Sequence, residues 1–137
     1  MSTLSTAASA LLLIAVALCP LGLRAQGDPI RETGSFRSDT VDLRYELDRP
    51  SGKGPFPVVI FVHGSGRVTR DEMLNVVPKF VERGFAVFRY DKRGVGESGG
   101  TFRGVNAATS VEVIPELARD AAAAYRTACQ SRAIDPK

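Results

Sequence analysis

Ten residues constrain this chain more than any others: Pro57-Val58-Val59-Ile60-Phe61-Val62-His63-Gly64-Ser65-Gly66. A short β-branched and aromatic run behind a proline predicts a strand buried on both faces, as in a parallel sheet. It ends abruptly in His-Gly-Ser-Gly. There Gly64 and Gly66 let the backbone leave the strand's carboxyl end in a tight turn, with little bulk between its amides and a ligand. In open α/β sheets ligands bind along that edge, so this is the candidate active-site loop.

The flanking segments fit an α/β chain. Gln26 to Thr33 reads as a polar lead-in. Phe36-Arg37-Ser38 and then Val41 to Leu47 alternate apolar and polar residues, as in half-buried antiparallel strands. Arg49 to Pro55 is a turn cluster, and Arg67 to Glu72 is charged and irregular. Leu74, Val77, Phe80 and Val81 have helical spacing, with Pro78 limiting the helix to a start near Val76 and Gly84 placed as its C-terminal cap. Phe85 to Tyr90 is a second buried strand, and strand, helix and strand at this spacing predict a right-handed parallel crossover. Asp91 to Gly104 is a loop with five glycines. A second helix is predicted with Leu117, Ala121, Ala124, Tyr125 and Ala128 on one face and Pro115 in its first turn, followed favourably by Glu116. Arg132 to Lys137 reads as the approach to another strand. There are no repeats.

With 137 residues there is room for one domain. Net charge is +3, and the 18 basic residues are scattered, so no stripe points to nucleic acid. Met1 to Leu23 carries no charged side chain, Leu11 to Leu18 is a compact apolar core, and Leu23-Arg24-Ala25 is an acceptable cleavage site. Residues 1–25 therefore read as a secretory signal peptide, although the basic n-region is missing apart from the amino terminus. A membrane anchor is the alternative, but the run is short and broken by Pro20. Lipid attachment at Cys19 is disfavoured by the bulk of Leu18. The expected mature piece is exported, periplasmic or secreted, with no stable membrane insertion after cleavage. Cys129 would be its only cysteine, which excludes an internal disulfide.

Two stretches together resemble the amino-terminal part of α/β-hydrolases, particularly bacterial esterases and serine-peptidase-like members. They are Pro57 to Gly66 and Arg89-Tyr90-Asp91-Lys92-Arg93-Gly94-Val95-Gly96-Glu97-Ser98. Ile134-Asp135-Pro136-Lys137 is similar to the segment before the family's nucleophile strand. The resemblance covers about residues 34 to 137, within a partial hydrolase domain at 26–137. It implies an antiparallel strand pair followed by parallel β-α-β-α in a three-layer α/β/α arrangement, with the oxyanion loop after the third strand. The family's nucleophile elbow, acid and histidine follow later in the chain, and this sequence stops short of them. The resemblance thus implies a serine hydrolase acting on small-molecule esters, or on peptides, with no metal or organic cofactor; the alternative from another class is a non-catalytic remnant of the fold. The resemblance also implies that these 137 residues alone are inactive. Oligomeric state is not legible.

Within the resemblance, Gly64 and Ser65 are the candidate catalytic positions, the backbone amide of Ser65 being the oxyanion donor whatever its side chain does. The plain alternative is a strand-ending turn without chemistry. His63, the only histidine, matches a loop-bracing position rather than the catalytic base, and no second His or Cys stands at ligand spacing from it. Gly96-Glu97-Ser98-Gly99-Gly100 matches G-x-S-x-G literally, but the elbow needs a strand directly before the serine and a helix directly after it. Gly94 to Gly99 also fits G-x-G-x-x-G without the helix a dinucleotide site requires. Both matches are expected to be a turn braced by Asp91 and Arg93.

Overall fold

The computed structural model describes residues 27–137; the expected signal peptide lies outside the described residues. Among these residues four strands and two α-helices follow in order: β1 (Ile30–Ser38), β2 (Val41–Arg49), β3 (Val58–Ile60), α1 (Val77–Val81), β4 (Ala86–Tyr90) and α2 (Ser110–Ala128). The sheet order is β1-β2-β4-β3, antiparallel except for the parallel pair β3/β4. This is the strand pair and parallel β-α-β-α unit expected from the sequence.

Alternation along β4 sorts the two layers of core. Ala86, Phe88 and Tyr90 join Phe36, Leu43 and Leu47 against Ala123, Ala124 and Ala128 of α2. Val87 faces the other way, with Val77 and Val81 of α1. The sheet is therefore sandwiched between helices, the three-layer α/β/α arrangement. Phe88 is fully buried and stacks on Tyr45 at a centroid separation of 4.6 Å. Burial of a ring of that size contributes roughly 1.5–3 kcal/mol.

Several local expectations need correcting. The lead-in is half strand: Ile30 to Thr33 pairs with Arg49 to Glu46. Charge rather than apolar alternation holds it, through Arg31 on Asp48 and Arg49 on Glu32, both at 2.7 Å. Arg67 to Glu72 is not wholly irregular, since Arg70–Met73 forms a 3-10 turn. The strand before the candidate loop is not buried on both faces; Val58–Ile60 is half-buried throughout and Val62 is 61% exposed. The reason is its place at the sheet's margin, where among the described residues only β4 pairs with it. Pro115 lies well inside α2 instead of in its first turn. The helix starts earlier because the Asn106 side-chain carbonyl accepts from the amides of Ala108 and Thr109 at 2.9 and 3.1 Å. Proline then withholds its bond from the carbonyl of Val111, and Val111 is 82% exposed, so water can serve that carbonyl.

The buried face of α2 is also rotated from the one expected. Val113, Asp120, Ala123, Ala124 and Ala128 are inside, while Tyr125 is 49% exposed. Other expectations hold. Gly84 ends α1 with φ +87°, and the Phe85 amide reaches back to the Phe80 carbonyl at 3.1 Å. After α2 the chain returns beside β3. The Phe56 amide donates to Ala133 at 2.7 Å and the Asp135 amide to Phe56 at 2.8 Å, which begins a parallel ladder on the free edge.

Candidate active site

The loop from His63 to Val68 leaves the carboxyl end of β3. Gly64, Ser65 and Gly66 are exposed, and neither glycine adopts a positive φ. A Cβ on Gly64 would meet nothing within 4 Å, so glycine here is not needed for conformation but leaves open space over the amides. Among the described residues, no backbone carbonyl accepts from the amide of Ser65.

Two side chains hold the loop, its own His63 and Lys92 from the end of β4. His63 Nε2 donates to the Tyr90 carbonyl at 2.5 Å, and its ring packs edge-on against Tyr90 at 4.5 Å. The neutral ring thus carries its proton on Nε2. Burial pushes the His63 pKa down, against the raising effect of the Tyr90 carbonyl and with help from the charge on Lys92. Burial likewise pushes Tyr90 up, with the charge of Asp120 adding to it. Lys92 is 1% exposed, and its Nζ donates to the carbonyls of Gly64 at 2.7 Å and Gly66 at 3.1 Å. Burial lowers its pKa.

The glycine-rich stretch next to this loop is a braced turn. Asp91 is 1% exposed, and its carboxylate accepts from the amides of Arg70 at 2.9 Å and Glu97 at 2.8 Å, and from the Arg70 guanidinium. Gly96 sits at φ +57°, where a Cβ would meet Asp91 Oδ2 at 2.4 Å, so only glycine fits. Ser98 Oγ donates to the Asp91 carbonyl at 2.8 Å and accepts from the Arg44 amide at 2.9 Å. That serine is buried and its hydroxyl is occupied by structure. Arg93 grips Asp120 of α2 with both arms, at 3.1 and 2.5 Å, and this hydrogen bonding raises its pKa. No helix follows the glycines until Ser110, so neither an elbow nor a dinucleotide cradle is formed.

Two features escaped the sequence reading. One is the role of Lys92. The other is an ion cluster on the α1 side of the sheet, where fully buried Arg89 meets Glu46, Asp48 and Asp71. Charged residues at alternate positions of β2, Arg44, Glu46 and Asp48, together with an arginine inside an apolar strand, were the available signal.

His63 and Gly64 stand between two hollows, and Ser65 borders the second. One, about 300 Å³, lies under the loop against Thr69, Arg70, Met73 and Arg89. The other is an apolar groove of about 350 Å³ between this loop and α2, walled by Val62, Val105, Ile114, Leu117, Ala118 and Ala121. Among the described residues no three His, Cys, Asp or Glu side chains converge as a metal site.

A family model described as serine aminopeptidase, S33, matches residues 53–136. The chain belongs to this family of α/β-hydrolases. No curated protein matches it in sequence. Among solved structures, a hypothetical protein from Pseudomonas aeruginosa is similar at a TM-score of 0.62 and 20% identity, over 82% of this chain and 34% of its own. Est1E from Butyrivibrio proteoclasticus, solved with ferulic acid, gives 0.59 and 22% over 74% of this chain and 39% of its own. A dienelactone hydrolase-like promiscuous phosphotriesterase from metagenomic libraries gives 0.56 and 21% over 80% and 46%. These likenesses establish the fold, and this hydrolase chain spans between a third and a half of their lengths.

Proposed function

We propose that the intact protein is an exported serine hydrolase that cleaves carboxylic esters, short-chain acyl esters first. The observation that supports this most is the amide of Ser65, free of a backbone acceptor among the described residues at the carboxyl end of β3. A serine outside these 137 residues attacks the ester carbonyl, and negative charge develops on its oxygen. A fixed N–H aimed at that oxygen stabilises the transition state by several kcal/mol. The alkoxide then leaves, and water hydrolyses the acyl-enzyme. Gly64 and Ser65 are the positions that build this hole, through backbone rather than side chain. An ester asks less of the site than an amide, whose amine must be protonated before it leaves.

Peptide cleavage is the second reading, favoured by the description of the matching family model as a serine aminopeptidase. Export rests on residues 1–25, with Gln26 as the expected mature amino terminus.

The test uses the intact protein with p-nitrophenyl acetate, an aminoacyl p-nitroanilide and a serine-reactive fluorophosphonate. Fast ester turnover abolished by labelling of one serine supports the first reading, and preferential anilide turnover supports the second. A protein that turns over neither substrate and takes no label is a non-catalytic relative, and the proposal falls. Residues 26–137 alone are expected to be inactive, because His63 is the only histidine and its Nε2 is committed to Tyr90.

A further inference from the structure

We propose that Lys92 is a positioning residue for the oxyanion loop: its ammonium, held under the loop, turns the Gly64–Ser65 peptide so that the Ser65 N–H faces outward. The inference rests on the reading of Ser65 as the oxyanion donor and goes a step further, to what aims that donor.

The geometry begins with the peptide bond. A trans peptide is planar, so the C=O of one residue and the N–H of the next point in opposite directions. Lys92 Nζ binds the Gly64 carbonyl at 2.7 Å from the buried side. The Ser65 N–H must therefore point away from Lys92, to the side where Ser65 is exposed. The bond to Gly66 at 3.1 Å sets the Arg67 N–H in the same way. The Lys92 amide adds a third tie, to the Val68 carbonyl at 3.3 Å.

Nothing else among the described residues performs this task. No backbone hydrogen bond engages Gly64, Ser65 or Gly66, and neither glycine has a side chain to pack. His63 fixes only the loop's first residue. A loop so lightly tied would otherwise sample both orientations of the 64–65 peptide.

The setting of Lys92 is also unusual for a lysine. Lysines are almost never fully buried unless paired, yet no carboxylate pairs with Lys92 among the described residues. Its charge is met by two carbonyls and by the face of Phe102, 5.4 Å from Nζ. Such charge-assisted bonds are roughly twice as strong as neutral ones. The bonded cation also polarises the 64–65 peptide, which strengthens its N–H as a donor on the opposite side.

The test compares Lys92→Met, Lys92→Arg and Ser65→Pro in the intact protein, with ester kinetics and melting curves. Lys92→Met keeps the length of the side chain and loses its donors. It is expected to lower kcat on the order of tenfold to a hundredfold, with KM within about twofold, because the hole acts on the transition state. Lys92→Arg, which can reach the same carbonyls, is expected to recover most of kcat. Ser65→Pro removes the donor itself and is expected to lower kcat about a hundredfold or more. Wild-type kcat in Ser65→Pro would sink the oxyanion reading and Lys92 with it. A loss in Ser65→Pro beside wild-type kcat in Lys92→Met would overturn only the role of Lys92. Equal losses in Lys92→Arg and Lys92→Met would also overturn it.

If Lys92→Met does not fold, the wild type decides. Residual dipolar couplings of the Ser65 and Arg67 amides are expected to fit N–H vectors directed away from Lys92. Couplings averaged by motion, or fitting the flipped peptide, overturn the proposal.

Discussion

Asp120, on the inner face of α2, receives both arms of Arg93, at 3.1 and 2.5 Å. Arg93 comes from the glycine-rich turn, so this one pair fastens the loop that follows β4 to the helix behind the sheet. Glu116 adds a contact at 3.2 Å. Asp120→Ala would leave a buried guanidinium with only part of its charge met. Removing one partner of a buried pair costs about 3–5 kcal/mol, and denaturant unfolding of the intact protein should show a loss of that order. A loss under about 1 kcal/mol would mean that apolar contacts alone hold α2 in place.

Ser98 bridges the Asp91 carbonyl and the Arg44 amide, and so ties the turn to β2. Ser98→Ala leaves the half-buried Arg44 amide and the buried Asp91 carbonyl without this partner, which costs about 1–3 kcal/mol. Stability should fall by that amount in thermal melts, while labelling by a fluorophosphonate continues undiminished. Loss of labelling would make Ser98 the nucleophile after all.

His63 has its pKa lowered by burial from an ordinary 6.5. The unfolded chain therefore binds more protons than the folded one between the lowered value and 6.5. In that window stability rises with pH; it is fully present above 6.5 and is lost as pH falls through the folded pKa. One such group contributes at most about 1.4 kcal/mol per pH unit. Unfolding free energies across this window should show the slope, and His63→Gln should flatten it. An unchanged slope in His63→Gln would assign the effect to other groups.

Val62 and Ile114, 61% and 55% exposed, line the groove between the loop and α2, and β3 ends the sheet beside them among the described residues. An uncovered apolar strand edge invites pairing with other chains. Residues 26–137 in isolation should therefore self-associate, and Val62→Lys with Ile114→Lys should raise the soluble fraction severalfold in sedimentation. A monodisperse, cooperatively melting wild-type fragment would contradict this.

Much of the architecture was legible. The run from Pro57 to Val62 is short, β-branched and closed by glycine, and Phe85 to Tyr90 is short and rich in aromatics; both read as strands because nothing longer fits them. The helix between them was bounded by Pro78 and Gly84, which act through their own backbone geometry. Extent was harder. The pairing of Ile30 to Thr33 depends on carboxylates and guanidiniums across the strand, not on an apolar period. The true face of α2 was hidden because Asp120, a charged residue, lies inside it.

The sequence by itself determined the order of strands and helices, the α/β class and the loop that borders the candidate site. Those follow from periodicity and from glycine and proline, whose effects are local. Only the tertiary structure decided which polar residues go inside. Lys92 meets Gly64 and Gly66 across 28 and 26 residues of chain, and Arg93 meets Asp120 across 27. Burying a charge is costly unless fixed partners offset the loss of water, and such partners exist only once the sheet and its two helical layers have come together.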